Sequence, residues 1–227
     1  MGFQVISLDM FQTLVNVNSR IDQIWQPILA DRFHSEAAGR HAADLLARFM
    51  EEWSRSRDTA AFILLREIYG RSFEQLFRER GIVCSHREAA EILFREHRLA
   101  HFYEDTQDFL ASVAGKYQLC ITSDADDAMI PDFYRSYGAR LFTSEQCLSY
   151  KNDSGNKIFK DLIRHYQVPP GEILHIGDSK ADVLGAKREG IAACWINRGG
   201  QSWELEPKPD YTVRSFTELA GILGSAG

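Results

Sequence analysis

Ile173-Leu-His-Ile176-Gly177-Asp178-Ser179-Lys180-Ala181-Asp182-Val183 reads as a short strand, a glycine turn and the opening of a helix, with two carboxylates straddling the turn. The glycine permits close backbone approach. Two carboxylates four residues apart suit a hard, oxygen-seeking cation, and Mg²⁺ characteristically keeps several waters while taking one or two carboxylates. They equally suit a solvated capping turn. The decision between these readings comes from the rest of the chain.

Outward from that stretch, short apolar segments alternate with helical ones. Phe3–Leu8, Leu119–Ile121, Leu141–Thr143, Ala192–Ile196 and Tyr211–Val213 have strand length. Helical patterns lie near Asp127–Ser136, Asn156–Tyr166 and Ala181–Glu189, the last ended by Gly190 in the position glycine favours. Ser85…Glu88 and Ser215…Glu218 have capping-box spacing. Such alternation predicts an α/β fold with a doubly wound, mostly parallel sheet and helices on both faces. Between Ser19 and Ala100 the spacing is helical almost throughout, with stripes at Ile21, Ile24, Trp25, Ile28 and Leu29, kinked by Pro27, and at Ala42, Leu45, Leu46, Phe49, Met50 and Trp53. The first strand precedes this block. The expected organisation is therefore an α/β core of residues 1–16 and 103–227 carrying an inserted α-helical cap, residues 17–102.

Ligands of open α/β sheets bind beyond the carboxyl ends of the strands, so polar residues there carry weight. Asp9 ends the first strand and can be a nucleophile, a metal ligand or a turn residue. Thr122-Ser123-Asp124 end the second, where hydroxyls can donate to an anion or cap a helix. Lys151 follows the third in Ser149-Tyr150-Lys151-Asn152-Asp153, and Asp178 and Asp182 follow the fourth. Four accidents at four strand ends are less economical than one shared site.

Composition limits the alternatives. The 227 residues are 44% hydrophobic and 26% charged, an ordinary globular balance, and the net charge of −6 has the wrong sign for a dedicated nucleic-acid or anionic-membrane binder. No apolar run approaches the ~20 residues that cross a bilayer. The opening residues lack a basic segment before Asp9, which predicts a cytoplasmic chain. Cys84, Cys120, Cys147 and Cys194 are widely spaced, form no zinc template and are expected reduced. No serine-hydrolase elbow, phosphate-binding Gly-Lys loop or dinucleotide fingerprint is present, and His175, inside a strand, is expected in the core or at a sheet edge. Trp25 and Trp53 are expected to pack rather than to stack on a ligand.

With these residues in order, the sequence resembles the haloacid dehalogenase-like hydrolase superfamily, in the branch with a helical cap after the first strand. The resemblance rests on Val5-Ile-Ser-Leu-Asp9-Met-Phe-Gln-Thr13-Leu14, Leu119-Cys-Ile-Thr-Ser123, Lys151 and Ile176-Gly-Asp178-Ser-Lys-Ala-Asp182-Val183, and covers the core from Gly2 to about Leu223. It implies that Asp9 is a nucleophile forming an aspartyl intermediate and that Ser123 binds a phosphoryl oxygen, as does Thr13 or a nearby backbone amide. It further implies that Lys151 neutralises nucleophile and anion, and that Mg²⁺ is held by Asp9, the Phe11 carbonyl and Asp178, with Asp182 in support. Phe11, Thr122, Asp124 and Arg40 are the expected substrate contacts. The implied partner is a small phosphorylated molecule, with the protein a monomer or homodimer that binds neither nucleic acid nor membrane.

Two departures keep other functions open. Most phosphatases of the superfamily carry a second aspartate as general acid and base where this chain has Phe11, and an aromatic there belongs to the dehalogenase branch. Arg40 lies where dehalogenases place an arginine. The Asp178/Asp182 pair argues the other way, because dehalogenases need no metal. A Mg²⁺-dependent phosphatase is the leading expectation; a 2-haloacid dehalogenase and a catalytically idle binding or regulatory module are the alternatives. Lys151 also lies two residues farther from Ile158-Phe159 than the superfamily pattern has it, without the usual prolines, and Asp124 stands where asparagine is common.

Overall fold

A computed structural model describes residues 2–57, 59 and 61–225. Six strands form one sheet: β1 (Val5–Leu8), β2 (Gln118–Ser123), β3 (Arg140–Thr143), β4 (Ile173–Gly177), β5 (Ala192–Ile196) and β6 (Tyr211–Val213). Their order is β3-β2-β1-β4-β5-β6, and every pair is parallel. β1 is buried along its whole length, as a central strand covered on both faces must be.

The helices are α1 (Ile21–Leu29), α2 (Ser35–Ser56), α3 (Leu65–Arg80), α4 (His86–Arg98), α5 (Thr106–Val113), α6 (Ser144–Cys147), α7 (Lys157–Tyr166), α8 (Lys180–Arg188) and α9 (Phe216–Ser225). The chain divides into two compact units, one of residues 1–16, 102–124 and 132–227, the other of residues 17–101 and 125–131.

In the α/β unit, Val5, Cys120 and Ile173 from three adjacent strands meet Ile158, Phe159 and Leu162 of α7 and Val183 and Ala186 of α8 in one apolar cluster. The Phe109 ring of α5 stacks on Phe216 of α9 with centroids 4.4 Å apart. In the helical unit, α1 ends at Leu29, two residues after Pro27. Trp25 is buried beside Phe73, and Phe49 stacks on Tyr69 at 4.3 Å.

Two local expectations change. Residues 125–131 group with the helical unit rather than with the sheet, because Asp126 accepts the free Leu65 and Arg66 amides at the start of α3, each at 2.9 Å. The helix expected over Asp127–Ser136 is instead two 3₁₀ segments, Asp127–Met129 and Asp132–Tyr137. Pro131 separates them, since it has no N–H and biases the residue before it toward extended backbone.

Candidate active site

Register places the acids. Leu8 of β1 lies opposite Ile121 of β2 and Ile176 of β4, so the chain leaves all three strands at one edge, and the Asp9 amide still donates to the Ile176 carbonyl at 2.9 Å. Asp9, Asp178 and Asp182 each offer a carboxylate oxygen within 4.8 Å of the others.

Asp9 Oδ1 accepts from Ser123 Oγ at 3.0 Å and from Lys151 Nζ at 2.7 Å. Burial pushes the Asp9 carboxyl above its ordinary range, and Lys151 opposes that push. Lys151 also meets Asp182 Oδ1. Its own burial works against the charge, yet Asp182 and Asp9 outweigh it and hold the ammonium protonated well past its usual limit.

Lys151 reaches this position through a loop that replaces proline stiffness with side-chain hydrogen bonds. Asp153 Oδ2 accepts from Ser149 Oγ at 2.8 Å and from the Tyr150 amide at 2.9 Å. Asn156, with φ of 48°, accepts the Asn152 amide at 2.9 Å and donates to the Gly185 carbonyl at 2.8 Å. Asp124 Oδ1 takes the Lys151 amide at 2.7 Å. Burial raises the Asp124 carboxyl to about 7 against the pull of Lys151. The longer loop thus delivers its lysine to Asp9, and Asp124 acts on the loop backbone.

Asp182 closes a full capping box at the start of α8. Its Oδ2 accepts from Ser179 N at 3.0 Å and Ser179 Oγ at 2.6 Å, while its amide donates to Ser179 Oγ at 3.3 Å. Oδ1 takes Lys151 and His175 Nε2, the latter at 2.9 Å. Burial disfavours its charge, but Lys151 and then His175 hold the carboxyl far below its ordinary range. Ser85 and Ser215, the expected capping-box residues, accept the Glu88 and Glu218 amides, but the Glu218 carboxylate bonds the Arg214 amide instead of reaching back to Ser215.

Asp178 is the crowded member. Burial, then Asp9 and Asp182, push its carboxyl up to about 8. Thr13 Oγ1 donates to its Oδ1 at 3.3 Å, and the Trp195 indole donates to its carbonyl at 2.8 Å. Phe11 and Thr13 lie in a tight turn closed by the Leu14 amide on the Met10 carbonyl at 2.9 Å, with Gln12 at φ 61° and its amide donating to the Val15 carbonyl at 2.7 Å. A cavity of about 160 Å³ borders Asp178, lined also by Gln12, Tyr103, Trp195, Asn197 and Arg198.

One expected contact within the α/β unit turns away from the acids. Thr122 is fully buried and its Oγ1 lies 2.8 Å from Ser7 Oγ; side chains alternate along a strand, so Ser123 presents its hydroxyl to Asp9 and Thr122 does not. Arg40 is exposed on α2 and pairs with Glu36 one turn earlier. Trp195 and the Gln12–Tyr103 pair, bonded at 3.1 Å, contribute to the site without a signal in the sequence. His175 lies in the core, one of the two places expected for it, and its contact with Asp182 is the part the sequence did not show. Its signal was a polar ring in an otherwise apolar strand two residues before the glycine turn.

The haloacid dehalogenase-like hydrolase family matches residues 3–190. The chain belongs to that family. Among characterised relatives it is 28% identical over 199 residues to a phosphoserine phosphatase of Thermus thermophilus, covering 82% of this chain and 76% of that one. To a phosphoglycolate phosphatase of Vibrio vulnificus it is 26% identical, over 56% of this chain and 58% of the relative. Among solved structures it shares the fold of the magnesium-bound HAD-hydrolase YfnB of Bacillus subtilis, with a TM-score of 0.80, 18% identity, and 98% and 99% of the two chains covered. It likewise shares the fold of the L-2-haloacid dehalogenase of Xanthobacter autotrophicus, with a TM-score of 0.80, 16% identity and coverage of 99% and 100%. The HAD hydrolase fold thus hosts both chemistries among its neighbours. Among the described residues, no helix is long and apolar enough to cross a membrane.

Proposed function

We propose that this HAD hydrolase is a Mg²⁺-dependent phosphatase of a small phosphorylated metabolite, with Asp9 as nucleophile. One observation carries the reading: three carboxylates, those of Asp9, Asp178 and Asp182, meet within 4.8 Å with Lys151 as the ammonium among them. Such crowding of like charge is costly unless a cation joins it. The donor set is all oxygen, as a hard dication requires. Asp182 has both oxygens engaged by Lys151, His175 and Ser179, so Asp9 and Asp178 are the residues to hold the ion, joined by the Phe11 carbonyl.

The chemistry then follows from the side chains. Asp9 attacks phosphorus, the leaving group departs as an alkoxide that takes its proton from water, and water hydrolyses the resulting aspartyl phosphate, so that one difficult displacement becomes two easier ones. Lys151 offsets the charge of nucleophile and phosphoryl oxygens, and Ser123, its one hydroxyl hydrogen turned from Asp9 to the bound ester, donates to one of those oxygens. Bound Mg²⁺ supplies Lewis-acid stabilisation of the developing charge. Phe11 cannot donate a proton, and a general acid contributes roughly 10²–10⁴-fold, which favours substrates whose leaving group departs with little acid help. The relatives named for phosphoserine and phosphoglycolate support a small phosphate ester.

The test is phosphate release from phosphoserine, phosphoglycolate and p-nitrophenyl phosphate, with Mg²⁺ and with EDTA. Release that stops in EDTA and in Asp9→Asn is expected; turnover indifferent to EDTA would overturn the metal requirement. Phe11 supports a second reading, 2-haloacid dehalogenation. Chloride release from 2-chloropropionate in EDTA would establish that reading instead.

A further inference from the structure

Across the face of the sheet that α7 and α8 cover, three adjacent strands place polar side chains inside the apolar cluster: Ser7 from β1, Thr122 from β2 and His175 from β4. Ser7 and His175 are register partners. All three are sealed from solvent, at 0%, 0% and 1% exposure. Ser7 Oγ lies 2.8 Å from Thr122 Oγ1 and 2.8 Å from His175 Nδ1, and the Phe159 ring stands edge-on to the imidazole with centroids 4.8 Å apart. An aliphatic side chain would fill the same space without the desolvation of a ring and two hydroxyls. The chain of polar contacts has a destination: His175 Nε2 lies 2.9 Å from Asp182 Oδ1, the oxygen that also receives Lys151, and Lys151 Nζ lies 2.7 Å from Asp9.

We propose that His175 is a positioning residue which, by donating from Nε2 to Asp182, holds Lys151 against the nucleophile Asp9. Asp182 is ionised beside Lys151, and a carboxylate only accepts, so the hydrogen of this contact sits on Nε2. Ser7 grips the opposite nitrogen and Phe159 blocks rotation, so the donor direction is fixed from both sides. Asp182 thereby has its Oδ2 pinned by Ser179 and its Oδ1 aimed between two donors, and the ammonium has one place to sit. The inference rests on the hydrolase reading above through Asp9 and Lys151, and concerns a residue that touches neither substrate nor metal.

Two variants separate positioning from packing. In His175→Gln the amide nitrogen takes the place of Nε2 and can still donate to Asp182; in His175→Asn the amide reaches only the place of Nδ1, toward Ser7. His175→Asn is expected to lower kcat by ~10–100-fold, as loss of an orienting partner does, with KM within about threefold; His175→Gln is expected to recover most of that loss. Thermal stability of both is measured alongside, because a purely structural residue would make activity follow Tm in the two variants alike. ¹⁵N NMR of the histidine-labelled wild type reads the Nε2 hydrogen directly. A bare Nε2, or equal losses in both variants that track Tm, would overturn the inference while leaving the hydrolase reading intact. A wild type that releases neither phosphate nor halide would overturn both.

Discussion

A methyl group added at Gly177 would lie 2.2 Å from Asp182 Cγ and 2.5 Å from its Oδ2. The glycine turn ahead of α8 is therefore a matter of space: the carboxylate sits where any other residue would carry its Cβ. Asp182 is fixed by four donors and cannot yield without releasing Lys151. Gly177→Ala is expected to lower kcat by ~100-fold or more, since an ångström of misplacement is felt at that scale, with the far-ultraviolet circular dichroism of the folded protein retained. Unchanged kcat would show that Asp182 moves freely. The same residues explain what the sequence disclosed. Asp9, Ser123, Asp178 and Asp182 were legible because each closes or follows a strand, and strand ends can be read from apolar runs. His175 was not, because its role depends on Ser7 and Asp182 lying beside it, a matter of register and of helix placement that spacing along one chain does not encode.

At the scale of elements, the segment from Ser149 to Asn156 shows how a motif survives altered spelling. Its function was obscured by two additional residues and absent prolines, yet Asp153 and Asn156 bend it by local side-chain bonds available to Asn and Asp in many turns. Asn156→Asp tests this: it keeps the acceptor for the Asn152 amide but turns the donor toward Gly185 O and Glu189 Oε1, both acceptors, each bonded at 2.8–2.9 Å in the wild type, into a third acceptor. Leaving buried acceptors facing one another costs about 1–3 kcal/mol, and Tm is expected to fall by roughly 2–4 °C for each of those kcal/mol. Helix α4 carries a second element-scale prediction. Burial lowers the His97 imidazole to about 4, so between that value and its ordinary 6.5 the unfolded chain binds a proton that the folded helix does not. Stability present above pH 6.5 is lost as the pH falls toward 4, by up to about 3 kcal/mol. Thermal melts of His97→Gln, which cannot titrate there, are expected to show a slope shallower by one proton over that window; identical slopes would remove His97 from the account.

For the whole molecule, the acids of the site set catalysis against stability. The net charge is −6, and three of its acids meet within 4.8 Å around Asp178, whose carboxyl burial, Asp9 and Asp182 push up to about 8. In the absence of a cation this group strains the fold, either as a third close carboxylate or as one forced to keep its proton. Asp178→Asn retains the shape and an acceptor for Thr13 while removing the charge. The metal-free variant is therefore expected to melt above the metal-free wild type, the reverse of the usual direction for a buried substitution. Addition of Mg²⁺ is expected to raise the Tm of the wild type according to RT ln(1 + [Mg²⁺]/Kd), about 2.7 kcal/mol at a hundredfold excess over Kd, and to leave the variant unmoved. Melting curves of both proteins in EDTA and across a Mg²⁺ titration measure the two effects separately. A variant less stable than the wild type in EDTA would mean that the carboxylates are already balanced by Lys151. A variant still stabilised by Mg²⁺ would place the ion away from Asp178. Greater metal-free stability combined with loss of the Mg²⁺ response would identify this acidic cluster as a site whose strain is relieved by its ion, and would explain why a fold with ample apolar core tolerates so unfavourable a grouping at its centre.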